Sequence, residues 1–331
     1  MDALSELLRA VKLSGALFFN AHCYAPWCVQ AAPSRSFRPF IKEPATHVIE
    51  FHVVVEGRGY IRVGNETTPL VAGDIAIVPH GDAHRMGNGL PTATSDGSES
   101  LESILRGELK PYRIGGDGEL TRLICGYLGC EKQLLAPLLV GLPRVVRVHL
   151  RNDAYGQSLE RMVGHAVEQV ASAVPGSEVV VARLAEVLFA EALRRYVLQL
   201  PPQRAGWLAG AADPSVGRAL AELHQRPAHP WTLEELAEVA GVSRSTLAER
   251  FSRYLGQGPM AYLADWRLEL AAESLRTTSR SVLDIAADVG YESEAAFNRA
   301  FKRRFTLPPA RYRKSLRPRA ASGRIGADAN A

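Results

Sequence analysis

The sequence predicts a two-domain α+β protein: an N-terminal β-barrel or sandwich, then a C-terminal all-α domain of two helix-turn-helix units. Three observations predict this. Residues 47–88 are short β-branched and aromatic runs separated by Gly, Pro and Asp turns, the pattern of a small barrel. From about Gln157 the apolar residues recur at three- and four-residue spacing, the period of helices. Residues 232–259 recur in pattern as residues 281–309.

Bulk properties fit an ordinary globular protein. The chain has 331 residues, 47% hydrophobic and 22% charged, a size for two or three domains. No apolar run approaches 18 residues, so no membrane-spanning helix and no membrane partner is expected. The start, MDALSELLRAVKLSG, has no basic start, long apolar run and small-residue cleavage site; it predicts an amphipathic helix and a cytoplasmic protein. Net charge is +4, and nine Lys and Arg with no Asp or Glu lie between Arg299 and Arg319. A polyanion is the partner such an end suggests.

Along the chain, HVIEFHVVVEG and RGYIRVG predict a hairpin turning near Glu56–Gly59. TTPLVAGDIAIVPHG adds two short strands about a Gly-Asp turn, and ELTRLICGYLGC returns to strand character. The polar residues 89–103 between them predict a mobile loop. SEVVVARLAEVLFAEALRRYVLQL (177–200) predicts a helix, and PPQRAGWLAGAADP (201–214) a linker. The predicted organisation is a barrel at 1–150, a helical dimerisation or linker segment at 151–212, the helix-turn-helix domain at 213–316 and a disordered basic tail at 317–331.

The repeat defines the helical domain. Ala237 and Gly241 match Ala286 and Gly290 at an offset of 49; Ser243, Leu247, Phe251 and Pro259 match Ser293, Phe297, Phe301 and Pro309 at an offset of 50. Each unit reads as a helix, a turn at Gly, a capping Ser and a second helix. Small Ala237 and Ala286 suit a close helix crossing, and the glycines suit turns that need positive φ. Leu247, Phe251 and Leu255, like Phe297, Phe301 and Phe305, form core stripes. That leaves Arg244, Ser245, Thr246, Ala248 and Glu249 free in one unit, and Glu294, Ala295, Asn298, Arg299 and Lys302 in the other, with Arg303 beside them. The second helix of such a unit enters the major groove, where Asn and Arg read base edges and Lys and Arg bind phosphate. Residues 260–276, MAYLADWRLELAAESLR, predict one linking helix of about 25 Å, a rigid spacer between readers of successive groove segments.

The last hundred residues resemble the DNA-binding domain of the AraC/XylS family of transcriptional regulators; DIAADVGYESEAAFNRAFKRRFTLPPARYRK is similar to its second-unit signature. By matching position, the resemblance places base contacts on Ser245, Ala248 and Glu249 and on Glu294, Ala295, Asn298 and Arg299. It implies double-stranded promoter DNA as partner, a homodimer, and activation through RNA polymerase.

GDIAIVPHGDAHRMGN (73–88) resembles the second motif of the cupin superfamily, with every fixed position present. Of the first motif, Glu50 and Gly57 are present and the paired His is missing; only His47 lies nearby, and His52 is an addition. On a strand Glu50 and His52 share a face, and His84 faces them from another strand. Glu50, His52 and His84, with His47 as a further candidate, can bind a divalent metal such as zinc, or form an ordinary buried polar pair. The incomplete first motif and the fusion to DNA-reading units argue against a catalytic cupin metalloenzyme, the competing reading. MDALSELL, FHVVVEG, PHGDAHR and LICG together resemble a cupin-bearing branch of AraC-type regulators, some of which respond to reactive chlorine or other oxidants. That resemblance marks Cys23 and Cys125, with Cys28, as candidate redox or effector residues, alongside a small-molecule effector. Cys125 and Cys130 differ by an odd number, so on one strand they face opposite ways.

Overall fold

The computed structural model describes residues 2–11, 13–40, 45–89, 95–96, 112–201 and 205–316. The predicted tail and most of the predicted loop at 89–103 lie outside the described residues.

The N-terminal half is a two-sheet β-fold. Its strands are β1 Ser14–Tyr24, β2 Trp27–Ala31, β3 His47–Glu56, β4 Arg58–Val63, β5 Glu66–Val71, β6 Asp74–Val78, β7 His84–Asn88, β8 Ser95–Asp96, β9 Tyr112–Gly115, β10 Leu120–Cys130 and β11 Val146–His149. One sheet has the order β11-β6-β3-β10-β1-β9, the other β5-β4-β7-β2-β8. The predicted hairpin is β3–β4, and β5 and β6 turn at Gly73–Asp74.

Alternation explains why the six-stranded sheet reads as continuous apolar runs. In β3, Ile49, Phe51 and Val53 pack outward into a large core shared with helices, whereas Glu50, His52 and Val54 face the space between the sheets. In β10, Ile124, Leu128 and Cys130 join the outer core; Leu123 and Cys125 join the inner one. Both faces are covered, so both parities are buried.

Helices cover the outer face. They are α1 Ala3–Ala10, α2 Lys132–Gly141, α3 Ala154–Ala171, α4 Ser177–Leu198 and α5 Trp207–Ala212. As predicted, α1 is amphipathic; Asp2 caps it by accepting from the Ser5 amide at 2.9 Å, and Ala3 and Leu7 are buried. The predicted linker is more ordered than its Pro and Gly content suggests. Residues 207–212 form α5, whose Trp207 and Leu208 lie in the shared core, because burying an indole and a Leu outweighs the weak helix propensity of WLAGAA.

The C-terminal half is all helical: α6 Pro214–Gln225, α7 Leu233–Ala240, α8 Arg244–Leu255, α9 Pro259–Thr277, α10 Val282–Asp288, α11 Glu294–Phe305 and α12 Pro309–Leu316. The two units are α7–α8 and α10–α11, joined by α9. Gly241 (φ 70°) and Gly290 (φ 84°) make the turns. Ser243 and Ser293 cap α8 and α11 through the amides of Thr246 and Ala296, both at 3.2 Å. Ala237 and Ala286 are buried at the crossings; Leu247, Phe251, Phe297 and Phe301 are buried, Leu255 and Phe305 half-buried.

The cores divide unequally. The first unit contributes Leu236, Leu247 and Phe251 to the large core that also holds α1, α2, α4 and the outer face of the six-stranded sheet. The second unit has its own core of Leu275, Ile285, Phe297 and Phe301. The linking helix α9 belongs to both: Tyr262, Leu263 and Trp266 lie in the first, Leu268, Ala271 and Leu275 in the second.

Candidate nucleic-acid interface and metal centre

Helices α8 and α11 present the predicted residues outward. On α8, Arg244, Ser245 and Glu249 are exposed and Thr246 and Ala248 half-buried. On α11, Glu294, Ala295, Arg299, Lys302 and Arg303 are exposed and Asn298 half-buried. Core stripes of Leu247 and Phe251, and of Phe297 and Phe301, hold these faces in place. Several readers have partners within the chain. Arg244 pairs with Glu234, the Ser245 and Thr246 hydroxyls meet Ser243 at 3.0 and 2.8 Å, and the Asn298 amide reaches Glu294 at 3.5 Å. Arg304, next to the candidate Arg303, turns inward to Glu269 at 2.8 Å.

Between the sheets, Glu50 and His52 from β3 meet His84 from β7. Their ligand atoms all lie within 4.8 Å of one another and all three residues are buried; among the described residues they are the group of three or more His, Cys, Asp or Glu able to hold a metal ion. The His52 and His84 Nε2 atoms are 2.8 Å apart, and Glu50 Oε1 is 3.6 and 3.9 Å from them. The His84 orientation is fixed by its Nδ1, which donates to the Asp82 carbonyl at 3.0 Å and leaves Nε2 as the lone-pair nitrogen. Without an ion, His52 Nε2 must then donate to His84. That leaves His52 Nδ1 and Glu50 Oε1 buried with no hydrogen-bond partner.

Two residues that sequence reasoning missed hold the carboxylate. Ser34, in the 3-10 turn Ser34–Phe40, donates to Glu50 Oε2 at 3.1 Å, and Tyr127 of β10 also donates to Glu50. Tyr127 pairs directly opposite Glu50 across the β3–β10 ladder, so register alone brings them together. Burial raises the Glu50 carboxyl above its usual range, although His84, Tyr127 and Ser34 each oppose this. Burial, then the neighbouring His84, hold His52 well below the usual imidazole value, so it is a neutral ligand.

The donor set fits a divalent metal: two imidazole nitrogens and one carboxylate oxygen, the orphaned oxygen facing both nitrogens. With bonds of about 2.0–2.1 Å to each imidazole, a zinc held by His52 and His84 would need their Nε2 atoms farther apart than the present 2.8 Å.

The structure does not bring His47 to this group. It lies an odd number of residues from both Glu50 and His52, so it faces the other side of β3, and its Nε2 donates to the Pro79 carbonyl at 2.7 Å.

The cysteines differ from the exposed, activated thiolate expected of a redox residue. Cys23, Cys28, Cys125 and Cys130 are all free and buried. Burial pushes the Cys23 thiol up to about 12, and burial, with Glu50 and Cys23 adding to it, raises Cys125 well above its usual value. The Cys23 and Cys125 thiols are therefore neutral in this conformation. Cys125 lies opposite His52 on the neighbouring strand, and the expected opposite facing of Cys125 and Cys130 is observed in their separate cores.

Comparison with known proteins decides the family. A family model described as Cupin matches residues 2–198, and one described as Helix-turn-helix domain matches residues 236–315. An AraC-like transcription regulator from Streptomyces antibioticus is 36% identical over 320 residues, covering 96% of this chain and 100% of its own. The chain belongs to the AraC-like transcription regulators. Other transcriptional regulators are matched along nearly their whole lengths. The regulator AlkR of Acinetobacter baylyi is 28% identical, covering 95% of this chain and 99% of its own. The RCS-specific transcriptional activator RclR of Escherichia coli is 25% identical, covering 96% and 99%. Among solved structures, the DNA-binding domain of AdpA in complex with a target DNA is 31% identical, covering 34% of this chain and 99% of its own, with a TM-score of 0.31. This AraC-like chain is therefore a DNA-binding transcriptional regulator with a cupin domain. No helix among the described residues is long and apolar enough to cross a membrane.

Proposed function

We propose that this regulator binds promoter DNA through α8 and α11 in response to a signal received between the two sheets, where Glu50, His52 and His84 hold a divalent metal such as zinc. The observation that carries the signal site is the convergence of three buried ligand atoms, one an oxygen with no hydrogen-bond partner. The bound ion supplies positive charge that relieves the buried Glu50 carboxylate and leaves the imidazoles neutral. Ser34 and Tyr127 orient the carboxylate, and the Asp82 carbonyl fixes the His84 tautomer.

Strand β10 supports a route from this site to the DNA-binding half. Tyr127 touches Glu50, and Glu131, directly after the strand, pairs with Arg276 of α9 at 3.0 Å. Thr46 holds Glu131 from the other side at 2.7 Å. A displacement of β10 that follows occupancy of the site thus reaches the linking helix through one ion pair. The α3–α4 hairpin leaves Tyr155, Met162, Val179, Val180 and Val187 exposed, which supports the reading of residues 151–212 as a dimerisation segment. Activation is read from the relative described as a transcriptional activator, and RNA polymerase as the partner from the family resemblance.

The test is metal analysis of the full chain after dialysis against zinc-containing buffer, beside His52→Ala and His84→Ala. One zinc per wild-type chain and none in either variant is expected; equal metal in all three refutes the site. Promoter binding of the same samples, with and without a chelator, shows whether occupancy alters DNA affinity.

A further inference from the structure

Arg267 stands in the middle of α9, where that helix passes from the first core to the second. Its guanidinium donates to three backbone carbonyls: Nε to Pro227 at 2.6 Å, Nη2 to His229 at 2.8 Å and Nη1 to Gly290 at 3.3 Å. Pro227 and His229 lie in the loop between α6 and α7, which leads into the first unit. Gly290 is the turn glycine of the second. The two segments also touch directly: a Cβ at Gly290 would fall 2.6 Å from the Ala228 carbonyl oxygen.

The loop is well braced on its own side. Trp231 Nε1 donates to the Arg226 carbonyl at 3.1 Å, the His229 ring meets Glu235 at 2.7 Å, and the Arg226 guanidinium lies 4.5 Å from the Trp231 ring centroid. Arg267 therefore ties a stiff part of one unit to the turn of the other. The units have separate cores, so their mutual placement rests on α9 and on this junction. Charge-assisted bonds to carbonyls are roughly twice as strong as neutral ones, and the planar fork serves three acceptors in directions that a Lys ammonium cannot copy.

We propose that Arg267 is a positioning residue for DNA recognition: by holding the 227–229 loop and the Gly290 turn on one guanidinium, it sets the spacing at which α8 and α11 meet successive major-groove segments. The inference rests on α8 and α11 being the reading helices. Loss of the guanidinium widens the range of separations the two helices adopt, so the protein tolerates DNA whose half-sites stand at the wrong distance. A merely structural role lowers affinity for all sites alike and leaves the spacing preference unchanged.

The experiment incubates the full wild-type chain, Arg267→Lys and Arg267→Ala with double-stranded DNA of randomised sequence and sequences the bound fraction. Binding to the enriched two-part site is then compared with the same site carrying one extra base pair between its halves. The wild type is expected to lose about tenfold or more on insertion, on the scale of a mismatched base pair. Arg267→Ala is expected to lose about threefold or less and to enrich a spread of spacings, with Arg267→Lys between them. Circular dichroism and melting on the same samples show that each variant is folded; if Arg267→Ala does not fold, Arg267→Lys carries the comparison. Folded variants with the wild-type spacing preference overturn the inference alone. A wild type that enriches no sequence, or a single half-site, overturns the assignment of two reading helices and the inference with it.

Discussion

The first half of the DNA-binding region carries its own acid sensitivity, set by one buried ring. His224 of α6 lies flat against Trp266, with centroids 4.3 Å apart and planes at 7°, and its Nε2 meets the Tyr262 hydroxyl at 2.7 Å. That hydroxyl accepts from Trp207 Nε1 at 2.9 Å, so its own hydrogen points to the imidazole; the His224 Nδ1 has no partner. Burial pushes the imidazole down from 6.5 to about 3. The sign follows directly. In the unfolded chain the ring takes a proton near pH 6.5, while in the folded chain it stays neutral to about 3. Stability is therefore full above 6.5 and is lost progressively as pH falls from there towards 3. At pH 5, one and a half pH units below the unfolded value, the loss is about 2 kcal/mol, at about 1.4 kcal/mol per unit. His224→Phe keeps a flat ring in the stack and removes the titration. At pH 7 it should be destabilised by about 1 kcal/mol for the lost hydrogen bond. Between pH 7 and pH 5 the wild type should lose about 2 kcal/mol more than the variant, measured as urea unfolding by tryptophan fluorescence. Parallel pH dependences for the two proteins would refute the reasoning.

Three further outcomes are expected. Arg299→Ala should weaken binding to a selected operator at fixed salt by about 1–3 kcal/mol without moving the melting temperature, because Arg299 is exposed; unchanged affinity would remove it from the reading face. Ser293→Ala removes the cap of α11 and should cost about 1 kcal/mol of stability, seen as a lower urea midpoint; an unchanged midpoint would show that the cap contributes nothing. Gly126→Ala places a Cβ 2.6 Å from Phe51 Cζ in the packed face of β10 and should cost about 1–3 kcal/mol; a neutral midpoint would mean that Phe51 moves freely aside.

Local pattern carried much of this structure. The double helix-turn-helix was legible because its turns, caps and core stripes recur at offsets of 49 before the turn and 50 after it, and each signal is local: Gly241 and Gly290, Ser243 and Ser293, Phe251 and Phe301. The facing of Glu50 and His52 follows from strand parity, which also sends His47 to the other side. What was illegible depends on distant packing. PPQRAGWLAGAADP has the composition of a linker, yet Trp207 and Leu208 find a core made by α1, α2, α4 and the first unit. Tyr127 and Ser34 carry no motif; strand register and a 3-10 turn place them on Glu50. The cysteines resembled sensor thiols by position, but depth in the fold sets their protonation, and sequence position does not report depth.

The unequal division of cores constrains how any signal reaches DNA. The first unit shares apolar packing with the helices on the six-stranded sheet, so to move it against the sensor half would uncover side chains such as Trp207, Leu220 and Phe251. Burying a large apolar side chain is worth about 1.5–3 kcal/mol, so such a motion is costly. The second unit owns a separate core, and its linking helix meets the N-terminal half at the pair of buried Glu131 and half-buried Arg276, where each side chain also has a second partner in its own half: Thr46 for Glu131, Glu273 for Arg276. Exchange between those partners keeps each charged group hydrogen-bonded, whereas opening the first unit's core would expose apolar surface with nothing to replace its packing. On the proposed function, the element free to respond would be the second unit, pivoting about α9, with the proposed Arg267 junction limiting that pivot. Regulation of the kind proposed would change the spacing between two helix-turn-helix units that remain individually intact.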